Sequence, residues 1–197
     1  MRRAWRWVAT MYRALFAAAG IFLGGVVAMA AFVQFVDYTN TMGFCISCHE
    51  MRDIVYEEFR KSVHFANRTG VEVACANCHV PHNNLVNLVV AKTLATRELY
   101  HHIVGTSDTP EKFEARRLQM AQRVWATMKA TDSRECRSCH KTYAMDFDKQ
   151  RPRSVGQHKS AVESRETCID CHKGIAHKPI HKALETKQDD QDFQITN

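Results

Sequence analysis

Residues 41–51 read TMGFCISCHEM, and within them Cys45, Cys48 and His49 stand in C-x-x-C-H spacing. The same pattern returns as CANCH (Cys75, Cys78, His79), CRSCH (Cys136, Cys139, His140) and CIDCH (Cys168, Cys171, His172). These four motifs use all eight cysteines of the 197-residue chain, so none is left over for a disulfide framework. Two C-x-x-C pairs can also enclose a zinc ion. Zinc gives no reason for a histidine directly after the second cysteine in every motif. A c-type haem does, because it needs two thioethers and an axial nitrogen, and five residues supply all three. The pattern therefore predicts four covalently bound haems c.

Upstream of the first motif, Ala14 to Val36 reads ALFAAAGIFLGGVVAMAAFVQFV without a charge. At about 1.5 Å per residue this run crosses a bilayer core of about 30 Å. Arg2, Arg3, Arg6 and Arg13 crowd its N-terminal side, and no acid occurs before Asp37. The positive-inside rule then gives a cytoplasmic N-terminus over 1–13, a transmembrane anchor over 14–36 and an exported domain over 37–181. The polar tail, 182–197, is expected to be disordered. A cleaved signal peptide is the competing reading, with Ala28-Met29-Ala30 as its A-x-A site. Against cleavage, Phe32, Val33, Phe35 and Val36 would leave a soluble N-terminus apolar. Without the four leading arginines the +6 formal charge nearly vanishes, which argues against nucleic-acid binding.

The first two motifs begin 30 residues apart and the last two 32 apart, so the exported domain reads as two related halves. Further histidines follow the same plan. His64 precedes Cys75 by 11 residues and His158 precedes Cys168 by 10, while His82 and His177 follow the second motif of each half. Counted as distal ligands, His64, His82, His158 and His177 would face the motif histidines and give four bis-histidine, low-spin haems. His82 has the weaker case, lying in the turn-like VPHNN beside Pro81. His101, His102 and His181 have no counterparts in the other half and are read as ordinary surface residues.

Strand signals are nearly absent. Asn84 to Val104 carries Leu85, Leu88, Val89, Leu99 and Ile103 on one helical stripe, with Lys92 in its middle. A charge there needs water, a partner or a ligand. A second helix begins with Thr109 as N-cap, Pro110 at the first helical position and Glu111 in the first turn, and ends near Ala130. The fold class is mainly α: a single N-terminal transmembrane helix, then a compact helical multihaem cytochrome c domain made of two pseudo-repeated dihaem halves.

FCISCHEM, SVHFANRTG before CANCHVPH, KTLATRELYHHIVGTSDTPEKFEARRLQMAQ, ECRSCH and TCIDCHKGIAHK together resemble the NapC/NirT/NrfH family of membrane-anchored tetrahaem quinol dehydrogenases, most closely its NapC branch. The resemblance spans roughly residues 14–181. It implies a single-pass protein of the bacterial inner membrane, with its haem domain in the periplasm. There it would oxidise menaquinol or ubiquinol from the membrane pool and pass electrons to a periplasmic reductase or its cytochrome subunit; the NapC branch implies nitrate reductase. The resemblance also implies that Lys92 lies at the quinol pocket, with Glu98 as a nearby acidic position. For the first haem it favours Met51, two residues after the motif histidine, whereas ligand counting favours His49. His79, His140 and His172 are the proximal ligands of the other three. The residues alone also admit an anchored electron-transfer or storage cytochrome without a quinol site. A terminal reductase of a nitrogen oxyanion would need an open iron position and further catalytic groups, for which the sequence offers none.

Overall fold

The computed structural model describes residues 2–182, and among them every regular element is helical. The expected disorder of the tail concerns residues that, apart from Lys182, lie outside this range. Helix α1, Arg2–Thr39, runs unbroken for 38 residues, and Trp5–Thr39 is apolar enough to cross a membrane. It extends beyond the uncharged 14–36 run on both sides. Charge decides where a helix leaves lipid, whereas backbone bonding continues until a residue competes with it. Here the competitor is Thr41, whose hydroxyl accepts from Phe44 N at 3.2 Å and starts a new helix. Phe16, Ile21 and Phe22 are at least 70% exposed along α1, so its apolar surface faces lipid rather than protein.

Each motif folds as about one helical turn. The first is α2, Met42–Cys45, and its continuation; a π-helical turn over Met51–Tyr56 then leads into α3, Glu57–Phe59. The second is α4, Cys75–His79. Two longer helices follow, α5 (Leu85–Ile103) and α6 (Pro110–Ala130). Both match the expected bounds because their caps are local. Asn84 accepts from Asn87 N at 2.8 Å, and Thr109 from Lys112 N at 3.4 Å, with Pro110 where its missing N–H costs nothing. The third motif is α7, Arg134–Cys139; α8, Pro152–Ser164, precedes the fourth, α9, Cys168–Cys171.

Among the described residues the buried apolar side chains are Phe59, Ala76, Phe113 and Ile169. Two of these, Ala76 and Ile169, sit inside motifs. So little apolar burial cannot hold the domain by itself, and the packing runs between motifs, α2 against α4 and α4 against α7, and from the fourth motif to a long helix, α9 against α6. The interior also holds an ionic clamp. Arg117, 6% exposed, donates to Glu114 at 2.6 Å and to Glu58 at 2.8 Å, and Glu58 accepts the backbone N–H of Lys178 at 2.9 Å. This ties α3 and α6 to the segment that carries His177.

Candidate haem centres

Imidazole rings come together in four pairs. His49 faces His102 with ring centres 5.8 Å apart, His64 faces His140 at 6.2 Å, His79 faces His177 at 6.2 Å, and His158 faces His172 at 6.0 Å. Two rings bonded to opposite faces of one metal at about 2.0 Å per bond have their centres roughly 6 Å apart. Each pair contains one motif histidine, so the residues fit four haems c, each with a thioether pair and two imidazoles. Of the residues named as ligands, the structure brings together His79, His140 and His172 with His177, His64 and His158. His82 belongs to none of these pairs: its Nε2 lies 3.1 Å from Ala76 O. His102, read as an ordinary surface residue, takes the place opposite His49. His101 meets Thr106 Oγ1 at 2.8 Å, and His181 packs edge-on against Trp125.

The pairing interlaces the two halves. His64, from the first half, faces the histidine of the third motif, and His177, from the second, faces that of the second motif. Gly174 makes the latter reach possible. It holds φ +70°, and a Cβ there would lie 2.7 Å from both Cα and Cβ of Pro179. The chain therefore turns back tightly just before His177.

Hydrogen bonds and burial set these rings for metal binding. The Nδ1–H of His158 donates to Gln150 Oε1 at 2.7 Å, and that of His102 to Glu50 Oε1 at 2.7 Å. In each case the other ring nitrogen keeps its lone pair. Burial lowers the pKa of His64, helped by its neighbour His140, and burial also lowers that of His177, so both favour the neutral form that a metal requires.

The cysteines order the motifs in space. Cys75 Sγ lies 3.4 Å from Met42 Sδ at the start of the first motif's turn, and the neighbouring thiols push Cys45 down to about 7 and Cys75 up. Cys78 is raised first by burial and then by Cys139; Cys136 is raised to about 11 by burial and then by Cys168. The fourth motif is pinned beside the third, since Ile169 N donates to the fully buried hydroxyl of Ser133 at 3.1 Å. The motifs thus form a chain, first to second to third to fourth.

The first motif adjoins the end of the membrane helix. Lys92 Nζ donates to Thr39 O at 3.0 Å and to Thr39 Oγ1 at 2.9 Å, and burial lowers the lysine's pKa. One turn away, Leu88 helps line a cavity of about 310 Å³ with Val36, Asp37, Pro81, His82 and Leu85. Glu98 does not join Lys92. It is exposed, and its Oε1 accepts from Arg123 on α6 at 3.4 Å. Met51 opens the π-helical turn directly after Glu50.

Comparison with known proteins shows the family. The family model described as NapC/NirT cytochrome c family, N-terminal region, matches residues 8–182. The chain is 47% identical over 180 residues to the cytochrome c-type protein NapC of Escherichia coli strain K12, covering 90% of each chain. It is 52% identical over 155 residues to the denitrification system component NirT of Stutzerimonas stutzeri, covering 79% of this chain and 77% of that one. A protein of Allochromatium vinosum described as of tetraheme cytochrome-c type is 47% identical over 161 residues, covering 80% of this chain and 84% of the relative. No solved structure matches the chain.

Proposed function

The chain belongs to the NapC/NirT cytochrome c family, and on that footing we propose that it is a membrane-anchored quinol dehydrogenase feeding a periplasmic reductase, nitrate reductase above all. The observation that carries this reading is the junction of Lys92 with Thr39. It sets the first motif, the end of α1 and a partly apolar cavity at one level, where a lipid-soluble donor arrives. α5 continues the lipid-facing surface there, with Val86, Val90 and Leu94 at least half exposed. The leading arginines support a cytoplasmic N-terminus and a periplasmic haem domain.

When bound, haem c supplies a one-electron acceptor at each motif. A quinol losing two electrons and two protons becomes a quinone, so its electron pair must be split. Lys92 has three N–H donors and commits two of them to Thr39; the third is free to hold a quinol oxygen. Asp37 and His82, in the cavity wall, are acceptors for the released protons on their way to water. Glu98 pairs with Arg123 and so braces α5 against α6. From the first motif the electrons follow the order of the motifs outward to the docked reductase.

The experiment is reduction of the purified protein in detergent by a menaquinol or ubiquinol analogue, with no other enzyme present. Rapid reduction, followed by reoxidation on adding periplasmic nitrate reductase together with nitrate as the terminal acceptor, is the expected result. Reduction only by dithionite would leave an anchored storage or relay cytochrome.

A further inference from the structure

We propose that the outer face of α8 is a docking surface for an acidic redox protein, with Arg151, Arg153 and Lys159 drawing it in and Gly156 letting it come close to the fourth haem. The inference rests on the reading of the chain as an electron donor to a soluble partner, and it names the surface which that partner meets.

Charge singles out this segment. Between residues 149 and 165 stand Lys149, Arg151, Arg153, Lys159 and Arg165 against one acid, Glu163. Apart from this segment and the four leading arginines, the chain holds 18 basic and 20 acidic residues. The positive excess of everything beyond the anchor is therefore gathered on one helix and its flanks. Lys149 is paired with Asp146 at 2.9 Å. Among the described residues Arg151, Arg153, Lys159 and Arg165 form no ion pair, and all four are exposed.

The same segment departs from what a helix prefers. Arg151 caps α8 without a side-chain hydrogen bond, and Arg153 follows in a first turn that holds no acid. Cations there oppose the positive end of the helix dipole. Gly156 stands in the middle of the helix, where only proline is a weaker helix former, yet a Cβ at that position would meet nothing within 4 Å. The helix then ends on Arg165 at φ +58°, a conformation that favours glycine. Nothing among the described residues requires these choices. A partner outside the chain does, since local rules are broken where function is served.

The helix is well placed for that partner. His158, two residues beyond Gly156, faces His172 of the fourth motif with ring centres 6.0 Å apart. At 3.6 residues per turn, Gly156 and Ser160 lie on the side of α8 away from His158, with Arg153 beside them and Lys159 at their edge; all four are exposed. The two small residues admit another protein's surface to the helix backbone, leaving only the helix between it and His158. The fourth motif is also the last in the chain of motifs that starts at α1, and this favours a soluble protein over a lipid surface. Cations around such a contact speed encounter with an acidic partner, and salt weakens the effect. Each encounter passes one electron from the reduced fourth haem to the oxidised centre of the partner.

The test uses the full-length tetrahaem protein in detergent, reduced beforehand with dithionite and freed of the excess, so that quinol plays no part. Stopped flow follows its reoxidation over a range of ionic strength by two oxidants, periplasmic nitrate reductase with nitrate, and ferricyanide, a small trianion. The double variant Arg153→Gln, Lys159→Gln is expected to react at least about threefold more slowly with both at low salt, with the difference closing at high salt. Arg97→Gln, which removes an exposed charge from α5, is expected to stay within about twofold of the parent. Gly156→Leu is expected to slow the reductase at every salt concentration and to leave ferricyanide unaffected. All three variants should keep four low-spin haems at unchanged potentials. Parent rates in the double variant, an equal loss in Arg97→Gln, or a loss confined to ferricyanide would overturn docking at α8. A shifted haem potential in the double variant would assign Arg153 and Lys159 to the haem propionates and overturn it too. Parent rates in Gly156→Leu would remove the close approach. A parent that reduces ferricyanide but never the reductase refutes that acceptor, and the double variant's ferricyanide rate then decides the face.

Discussion

Lys92, in the middle of α5, is fastened by two hydrogen bonds to Thr39, the last residue of the membrane helix. A lysine that bonds a helix's final carbonyl also complements the negative end of its dipole. The same side chain thereby joins anchor to haem domain and presents its remaining N–H beside the first motif.

Replacing Lys92 by Ala should slow reduction by a quinol analogue at least about tenfold, equivalent to about 1.4 kcal/mol of barrier, with four haems still attached. Glu98→Gln, which loosens an exposed pair with Arg123, should stay within about twofold of the parent. Stopped-flow traces of both variants at equal haem content check this. An unchanged rate in Lys92→Ala removes Lys92 from the donor site.

Arg117→Ala leaves Glu58 and Glu114 facing each other without their shared cation. Glu58 and Glu114 are partly exposed, so losing their buried cation costs about 2 kcal/mol, and denaturant midpoints should fall accordingly. Because Arg117 holds the Glu114 carboxyl below the usual range, the parent protein keeps this contribution above the ordinary carboxylate pKa. It loses it as pH falls through the lowered value. The variant should therefore show a flatter loss of stability below about pH 4.

Gly174→Ala places a methyl group 2.7 Å from the backbone of Pro179 at a positive φ. The backbone must move, so the variant should lose more than about 1 kcal/mol. Displacing His177 from His79 should also give a high-spin signal from the second haem. A normal spectrum with normal stability would show that the loop adapts.

The intact mass of protein extracted from membranes should include the residues before Ala31 and four haems. A reporter fused after the haem domain should be active only if it works in the periplasm, the orientation that the positive-inside rule expects from the leading arginines. A species beginning at Ala31 would instead identify a cleaved leader.

Much of this architecture was legible in the chain because its signals are local. A five-residue spacing announces each haem, and Thr109 with Pro110 announces a helix start. Long-range pairing is a different matter. The repeat brought His64, His158 and His177 into view, yet it offered no way to see that His64 would cross to His140 and His177 to His79. It also passed over His102 because that residue lacks a counterpart, while the first motif is the one whose surroundings depart from the repeat. The available signal was Glu50, a carboxylate placed directly after a motif histidine and in need of a donor. Glu98 and Lys92 share a helix, but only the folded chain shows one turned to Arg123 and the other to Thr39.

The crossing of His177 to His79 separates two events in the life of the molecule. The covalent hold on the second haem needs only CANCH, which leaves the export channel early. On the proposed ligation, closing its iron needs a residue that emerges far later in the chain, carried by a hairpin that must first fold around Gly174. A half-exported chain can thus be fully loaded at this motif while its metal still lacks the partner that will make it an electron carrier. Maturation of the cofactor and completion of the fold are, at this position, the same step.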